Sequence, residues 1–386
     1  MGAQWHSNSD HAVQPSTMAA DATPPQKPKT RRYVWGLLSL LVLFALIVLG
    51  FAVAKEVRTS ALQAREFSRF AASLSYSMHA GPSDSMLYPG NGPFDQRLGY
   101  SALGSFVPRL LKRDYVIAQQ TRFSPELLSY SKNGFFVPYS EKIQAGLSIT
   151  DCSGASLYQY KYPQQLYANF ADIPPVVVHS LLFIEDRDLL DTKEPLANPA
   201  VDWPRFAMAA YSQVTTILHL PGQSAGGSTL ATQLEKYRHS PDGLTLSGSE
   251  KLRQMISASV RAYQEGPQTL QARHKVVREY LNSVPLSAVP GHGEVHGMAE
   301  GLRVWFGADF TQVNKHLAST ANDPHSLAQR GVALREMLSL MIAQRRPSHY
   351  LAKGRDELAQ LTDSHIRLLA QNNVIDPALA KTALAS

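Results

Sequence analysis

The sequence predicts a mainly α-helical domain carried behind one N-terminal transmembrane helix, with minor β structure where the domain starts. Three observations lead there. Tyr33 to Ala54, YVWGLLSLLVLFALIVLGFAVA, runs 22 residues without a charge, and roughly 20 apolar residues suffice to cross a bilayer as a helix. From about residue 172 onward apolar residues recur at helical spacing, as in VVVHSLLFIEDRDLL, EKLRQMISASVRAY, HKVVREYLNSV and LREMLSLMIAQ. Just before that region, GLSITDCSGASLYQY alternates apolar and polar positions around an Asp-Cys-Ser-Gly turn, the signature of a hairpin.

In chain order, residues 1–32 are polar and rich in Pro, Ser and Thr, and read as a disordered tail. Lys27, Lys29, Arg31 and Arg32 precede the span 33–54, which keeps the N-terminus cytoplasmic and exports the rest. The AVA at 52–54 has the form of a cleavage site, but signal-peptide apolar regions are shorter, which favours an uncleaved anchor. Residues 55–144 form a juxtamembrane region without an assigned module. Its first part, KEVRTSALQAREFSRFAASLSYSMHA, has helical apolar spacing and is expected to continue the membrane helix outward. Residues 81–94, GPSDSMLYPGNGPF, read as a linker. Residues 145–386 make up the helical domain.

Composition narrows the partners. The 386 residues carry a formal charge of +6 and 44% hydrophobic side chains. This mild basic excess suits an acidic membrane surface or a phosphate-bearing substrate. No Lys/Arg run interleaved with aromatics points to nucleic acid. A single cysteine, Cys152, excludes an internal disulfide framework and a multi-cysteine zinc site.

Two stretches carry chemistry. GGSTLATQLEKY, residues 226–237, leads from glycines through two hydroxyls into a helix with a lysine two turns on. Backbone N–H groups at a helix start make an anion site, and the absence of G-x-x-x-x-G-K-[ST] excludes a nucleotide P-loop. The bland alternative is an ordinary Ser/Thr N-cap with a solvated lysine. In GHGEVHG, His292, Glu294 and His296 have alternate spacing, but a metal needs a third or fourth ligand on the same side. The flanking glycines favour a flexible loop and no metal.

The order of motifs from 145 to 386 resembles glycosyltransferase family 51, the peptidoglycan glycosyltransferases found alone or at the front of bifunctional penicillin-binding proteins. The lead-in ITDCSGASLYQYKYPQQLYANFADIPPVVVHSLLFIEDRDLL is similar to that family's strand, turn and helix ending in Glu-Asp-Arg. GGSTLATQLEKY, SEKLRQM, RHKVVREYLN, GHGEVHGMAEGLRVWFGAD and IAQRRPSHY follow in the family's order.

That resemblance implies a lysozyme-like helical fold that polymerises lipid II, with the lipid diphosphate leaving as the 4-hydroxyl of a second lipid-linked disaccharide attacks. A leaving diphosphate calls for cations and oriented donors. Gly227, Ser228, Thr229, Gln233, Lys236, Lys251 and Asn282 are the substrate- and diphosphate-binding set it implies. Glu185 takes the position of the family's first catalytic glutamate. It follows the apolar run LLFI, where partial desolvation would raise its basicity, although a surface pair with Arg187 would read the same way. Asp186 and Arg273 are supporting residues, and of the family's His-x-Gly-x-Asp only the closing Asp has a counterpart here, Asp202, with none for its His and Gly. The resemblance requires no cofactor and is compatible with a divalent cation, Mg or Mn, at the diphosphate. Its partners are lipid II, the growing glycan strand, membrane lipid and other cell-wall synthesis proteins. Its location is the bacterial inner membrane, single-pass, with the catalytic domain periplasmic. The apolar stretch 207–222 suits interfacial lipid contact or a buried helix equally.

Departures qualify it. The family's second essential glutamate is Gln254 here, with Glu250 one turn earlier in place of an arginine. Either Gln254 substitutes by hydrogen bonding, or Glu250 reaches the same spot, about 5–6 Å away on one helix face, or the chain binds lipid II with little turnover. Thr232 replaces one of two glutamines, Arg238 is displaced, Arg273 replaces a lysine, and Leu361 and Thr362 stand where the family has an arginine pair. Trp305 and Phe306 read as core. The principal reading is therefore a glycosyltransferase. The alternatives are a catalytically weakened lipid II-binding or scaffold protein, and a tethered hydrolase in which Glu185 alone is the acid, which would leave the phosphate motif without a purpose.

Overall fold

A computed structural model describes residues 29–90, 92–205, 208 and 228–386. It divides into Met1–Ala54 and Lys55–Ser386. Gly227 and the stretch 207–222, apart from the backbone of residue 208, lie outside the described residues.

The membrane candidate, which makes up most of the described part of the first unit, is helical, part of α1 (Lys29–Thr59), and Val34–Thr59 is long and apolar enough to span a bilayer, with no residue buried in its most apolar 18-residue stretch. The helix does not run on through the juxtamembrane stretch as its spacing suggested. Ser60 takes a left-handed conformation, φ 50°, and a new helix, α2 (Ala61–Ser73), starts beyond it. The Glu56 carboxylate accepts from the backbone N–H groups of Leu62 and Gln63 at 2.8 and 2.9 Å, satisfying two first-turn donors of α2.

In the second unit the region 55–144 is part of the packed domain. Strands β1 (Tyr76–Ala80) and β2 (Gln119–Phe123) pair antiparallel, with Tyr76 opposite Phe123. Helices α3 (Pro93–Arg97), α4 (Leu103–Leu111) and α5 (Pro125–Lys132) are interspersed with them. The expected linker 81–94 is thus not a free connection to its end, since Phe94 is 2% exposed. Ala71, Leu74, Leu127, Tyr130 and Val137 form a small apolar cluster that includes Val260 of a later helix.

The Asp-Cys-Ser-Gly turn closes the hairpin of β3 (Ala145–Thr150) and β4 (Ser156–Tyr162), with Leu147 opposite Tyr160. Helix α6 (Pro175–Glu185) follows, opened by proline at its first position, where no intrahelical N–H is needed. Next come α7 (Leu230–His239), α8 (Gly248–Ala262) and α9 (Leu270–Ser283). The Gly-rich stretch is an ordered hairpin, not the flexible loop expected: β5 (Pro285–Val289) pairs with β6 (Gly293–His296). Gly297, φ 76°, begins α10 (Gly297–Gly301), and a Cβ there would stand 2.3 Å from the Asn282 carbonyl oxygen, so only glycine lets the hairpin lie on the end of α9.

The centre is α12 (Pro324–Ala343), whose C-terminal half, from Met337 to Ala343, is buried on all sides. Such a helix reads as a core rather than an amphipathic element. It packs against α6, α11 (Phe310–Ala318), α13 (Arg355–Gln371) and α14 (Pro377–Ala385). Val177, Val178, Leu181 and Leu182 of α6 join this core. Trp305 is half-buried against it and donates to the Leu286 carbonyl at 3.0 Å, whereas Phe306 is exposed, contrary to its reading as core. The helical architecture with few strands agrees with the fold class expected from the sequence.

A buried ionic network fastens region 55–144 to α7, α8 and α9. His239 places its two ring nitrogens 3.0 Å from Asp95 and 2.5 Å from Glu141. Arg238 pairs with Glu141 and Glu279 at 2.9 and 2.8 Å, and Arg261 with Glu235 at 2.6 Å. Burial alone would lower the His239 pKa, but Glu141 and Asp95 outweigh it and push the imidazolium up to about 9. A group whose folded pKa lies above its unfolded value of about 6.5 contributes its full stability below that value and loses it as pH rises through the folded pKa. The melting temperature of the wild type should therefore fall between pH 6.5 and 9. His239→Gln should melt lower at pH 6.5 and flatten that fall; an equal pH slope in the two proteins would contradict the assignment.

Candidate active site

Glu185 is the last residue of α6, held by a core helix with its carboxylate almost covered, 11% exposed. One carboxylate oxygen accepts from Gln233 Nε2 at 3.1 Å, the other from Gln344 Nε2 at 3.1 Å. The Tyr237 hydroxyl lies 2.9 Å from Gln344 Oε1 and 3.3 Å from Gln233 Oε1. Its single proton is shared between the two amide carbonyls, mainly with the nearer one of Gln344, and this turns both NH2 groups toward Glu185. Burial, and then the negative charge of Glu185, hold the Tyr237 phenol far above its usual range, which keeps it a donor. Arg345 adds a guanidinium 3.6 Å from Glu185. The expected partner, Arg187, instead lies 4.1 Å over the Phe183 ring.

The neighbouring backbone is pinned as well. Arg205 donates to the Glu185 carbonyl at 2.8 Å and pairs with Asp202 at 3.0 Å. The Asp186 carboxyl is pushed up to about 7 by burial, against the opposing pull of Arg205 and a hydrogen bond from the Leu230 N–H at the start of α7. Arg273, fully buried, donates to the carbonyls of Leu189, Asp191 and Glu194 at 2.9–3.0 Å and so fixes the segment leaving Glu185.

At the start of α7, Thr229 and Thr232 cap one another. The Thr232 N–H reaches Thr229 Oγ1 at 3.3 Å and the Thr229 N–H reaches Thr232 Oγ1 at 3.0 Å. Both residues are buried, and Thr229 serves the helix end as an ordinary N-cap does. Ser228 is less covered and accepts from Lys251 Nζ at 2.8 Å. Burial, with the charge of Lys236 second, pushes the Lys251 ammonium down to about 8. Burial likewise lowers Lys236, with Glu185 opposing; its ammonium sits 4.3 Å over the Tyr237 ring. Among the described residues neither lysine has a carboxylate within 4.0 Å. Two half-desolvated ammonium groups without counter-ions favour an anion beside them.

Glu185, Gln233, Lys236, Tyr237, Gln344 and Arg345 line one cavity of about 670 Å³. Two expected catalytic residues are not among its lining. Gln254, 1% exposed, spends its amide on Ser240 and Thr245 at 2.9 Å each. Glu250, also buried, accepts from Ser240 at 2.5 Å and pairs with Arg253 at 2.7 Å. Asn282, expected on the acceptor side, instead clasps the Tyr167 backbone, accepting from its N–H and donating to its carbonyl, both at 2.9 Å. His296 bonds Glu294 at 2.9 Å, and burial together with Arg97 pushes its pKa down to about 4. Among the described residues no group of three or more His, Cys, Asp or Glu side chains is placed to hold a metal.

A family model described as Transglycosylase matches residues 153–371, more than half of the chain. The chain belongs to glycosyltransferase family 51. No curated protein matches it. Family membership carries glycosyltransferase activity in cell-wall synthesis and a lipid II or glycan substrate in general terms. The clamp around Glu185 falls inside the matched region, and the segment 55–152 falls outside it.

Sequence reasoning missed Tyr237, Gln344 and Arg345. Tyr237 was findable, since it stands four residues after Gln233 and hence on the same helix face. Gln344 and Arg345 stand within IAQRRPSHY, where nothing local in the sequence marks them as partners of Glu185.

The Gln254 environment makes a definite prediction. Gln254→Glu would remove two amide donors and set a second carboxylate on Ser240 beside Glu250. We expect a loss of about 1–3 kcal/mol in urea unfolding at pH 8, smaller at pH 5 where the new carboxyl takes up a proton, and no gain in rate.

Proposed function

We propose that this chain is a membrane-anchored peptidoglycan glycosyltransferase that polymerises lipid II into glycan strands and releases the lipid diphosphate. The observation that carries the reading is the shared cavity: a carboxylate aimed by two amides and a lysine with no carboxylate at contact distance among the described residues line the same space. The attacking 4-hydroxyl gives its proton to Glu185 as its oxygen bonds the anomeric carbon of the donor. The bond from that carbon to the diphosphate breaks, and the departing oxygens gather negative charge. Lys236 supplies a cation for that charge from the lining of the cavity, and Lys251, which feels the Lys236 charge and is bonded to Ser228, adds a second from outside that lining. Gln233 and Gln344 hold Glu185 in line and, as amides, do not compete for the proton. The basic run before the apolar helix supports a cytoplasmic N-terminus with the domain on the periplasmic face.

A second reading has one observation in its favour. Gln254 stands where the family has its second glutamate and carries no charge, which supports a weakened member that holds lipid II as a scaffold.

Strand formation from labelled lipid II separates the two. The wild type should form polymer, and Glu185→Gln should lower the rate ~10²–10⁴-fold while still binding lipid II. Equal polymer from both proteins would exclude Glu185 as base. A wild type that binds lipid II and forms no strands would favour the scaffold.

A further inference from the structure

The cavity has a wall that the family match does not include. Pro93, Phe94 and Arg97 line it together with Glu185 and Lys236. They belong to the short helix α3, which precedes the matched region 153–371. This helix is built tightly against the end of α7. A Cβ on Gly92 would lie 2.1 Å from the Arg238 carbonyl oxygen and 2.3 Å from the His239 Cα, so the chain passes there only as glycine. Asp95 accepts from the Gly92 N–H at 3.2 Å and meets His239 at 3.0 Å. Phe94 is buried edge-on against His239, with ring centroids 6.4 Å apart.

Two guanidinium groups flank that phenylalanine, Arg97 at 5.2 Å and Arg238 at 5.1 Å from its ring centre. Their treatment differs. Arg238 is neutralised twice, by Glu141 and Glu279. The Nε atoms of both are buried without a hydrogen-bond partner, but Arg97, unlike Arg238, also has no carboxylate within ion-pair distance among the described residues. Burial lowers its pKa, with Glu294 and Tyr162 opposing at longer range. An arginine cannot shed its proton to escape such a site, so its unmet donors favour an anion from outside. The planar fork suits a carboxylate or a phosphate.

We propose that Arg97 is a substrate-binding residue, supplied from outside the family domain, which holds an oxyanion of the saccharide substrate in the cavity that Glu185 faces. This rests on the function proposed above. The oxyanion has two sources, a diphosphate oxygen or a carboxylate of the peptide carried by the sugar.

The test uses the full chain in detergent, with wild type, Arg97→Gln and Arg97→Lys compared after their melting curves are matched. Kinetics and calorimetric binding are read with lipid II, with lipid II whose peptide carboxylates are amidated, and with inorganic pyrophosphate. Arg97→Gln should raise KM and weaken lipid II binding about 10–100-fold, the loss of one charge-assisted contact, with kcat within a few-fold of wild type. Arg97→Lys should recover part of that loss by restoring the charge. A peptide carboxylate is the source if the Arg97→Gln defect vanishes on the amidated substrate. Diphosphate is the source if pyrophosphate binding weakens too. Unchanged KM and binding for Arg97→Gln, while the wild type polymerises, overturns this inference alone. A wild type that binds lipid II in an Arg97-dependent way but forms no strands overturns the polymerase reading and supports Arg97 as a binding residue.

Discussion

The site depends on the grip of two amides on one carboxylate. Glu185 ends a helix that commits Val177, Val178, Leu181 and Leu182 to the core, and its two oxygens are taken by Gln233 and Gln344 from elements far apart in sequence. Tyr237 orders both amides at once. Remove that order and either amide can turn its carbonyl toward the carboxylate, exchanging attraction for repulsion. The core fixes where Glu185 is, and the tyrosine–glutamine ring fixes where its lone pairs point.

Charge is treated differently on the two sides of α7. On the side of Arg238 and His239, each cation is matched by a buried carboxylate, and the network joins segments separated by more than a hundred residues. Breaking one member of such a network strands its partner as an unpaired buried charge. Of the four cations that line the cavity, Arg238 is paired twice and Arg345 lies 3.6 Å from Glu185, so Lys236 and Arg97 are the two that lack a carboxylate at contact distance among the described residues.

Much of this was legible in the sequence because it rests on local pattern. The apolar run before Glu185, the helical period after 172 and the turn of the β3–β4 hairpin each state their structure within a dozen residues. The glycine-, serine- and threonine-led start of α7 also read correctly as a helix start, although Thr229 spends its hydroxyl on the cap. What escaped notice was non-local. Nothing near Gln254 in sequence says that Ser240 and Thr245 would enclose it. Asn282 shows its role only once Tyr167 is seen beside it, and the region 55–144 reveals its packing only against α7 and α8.

The proposed chemistry needs one cavity to hold both the base, Glu185, and Lys236, the first cation met by a departing diphosphate. A crystal structure of the full chain soaked with inorganic pyrophosphate tests it directly. Pyrophosphate should be found in contact with Lys236 on the side of Lys251 and Ser228, with Glu185 still bonded to Gln233 and Gln344 and facing the same space. Pyrophosphate bound away from Lys236, or a Glu185 carboxylate turned out of that cavity, would contradict it.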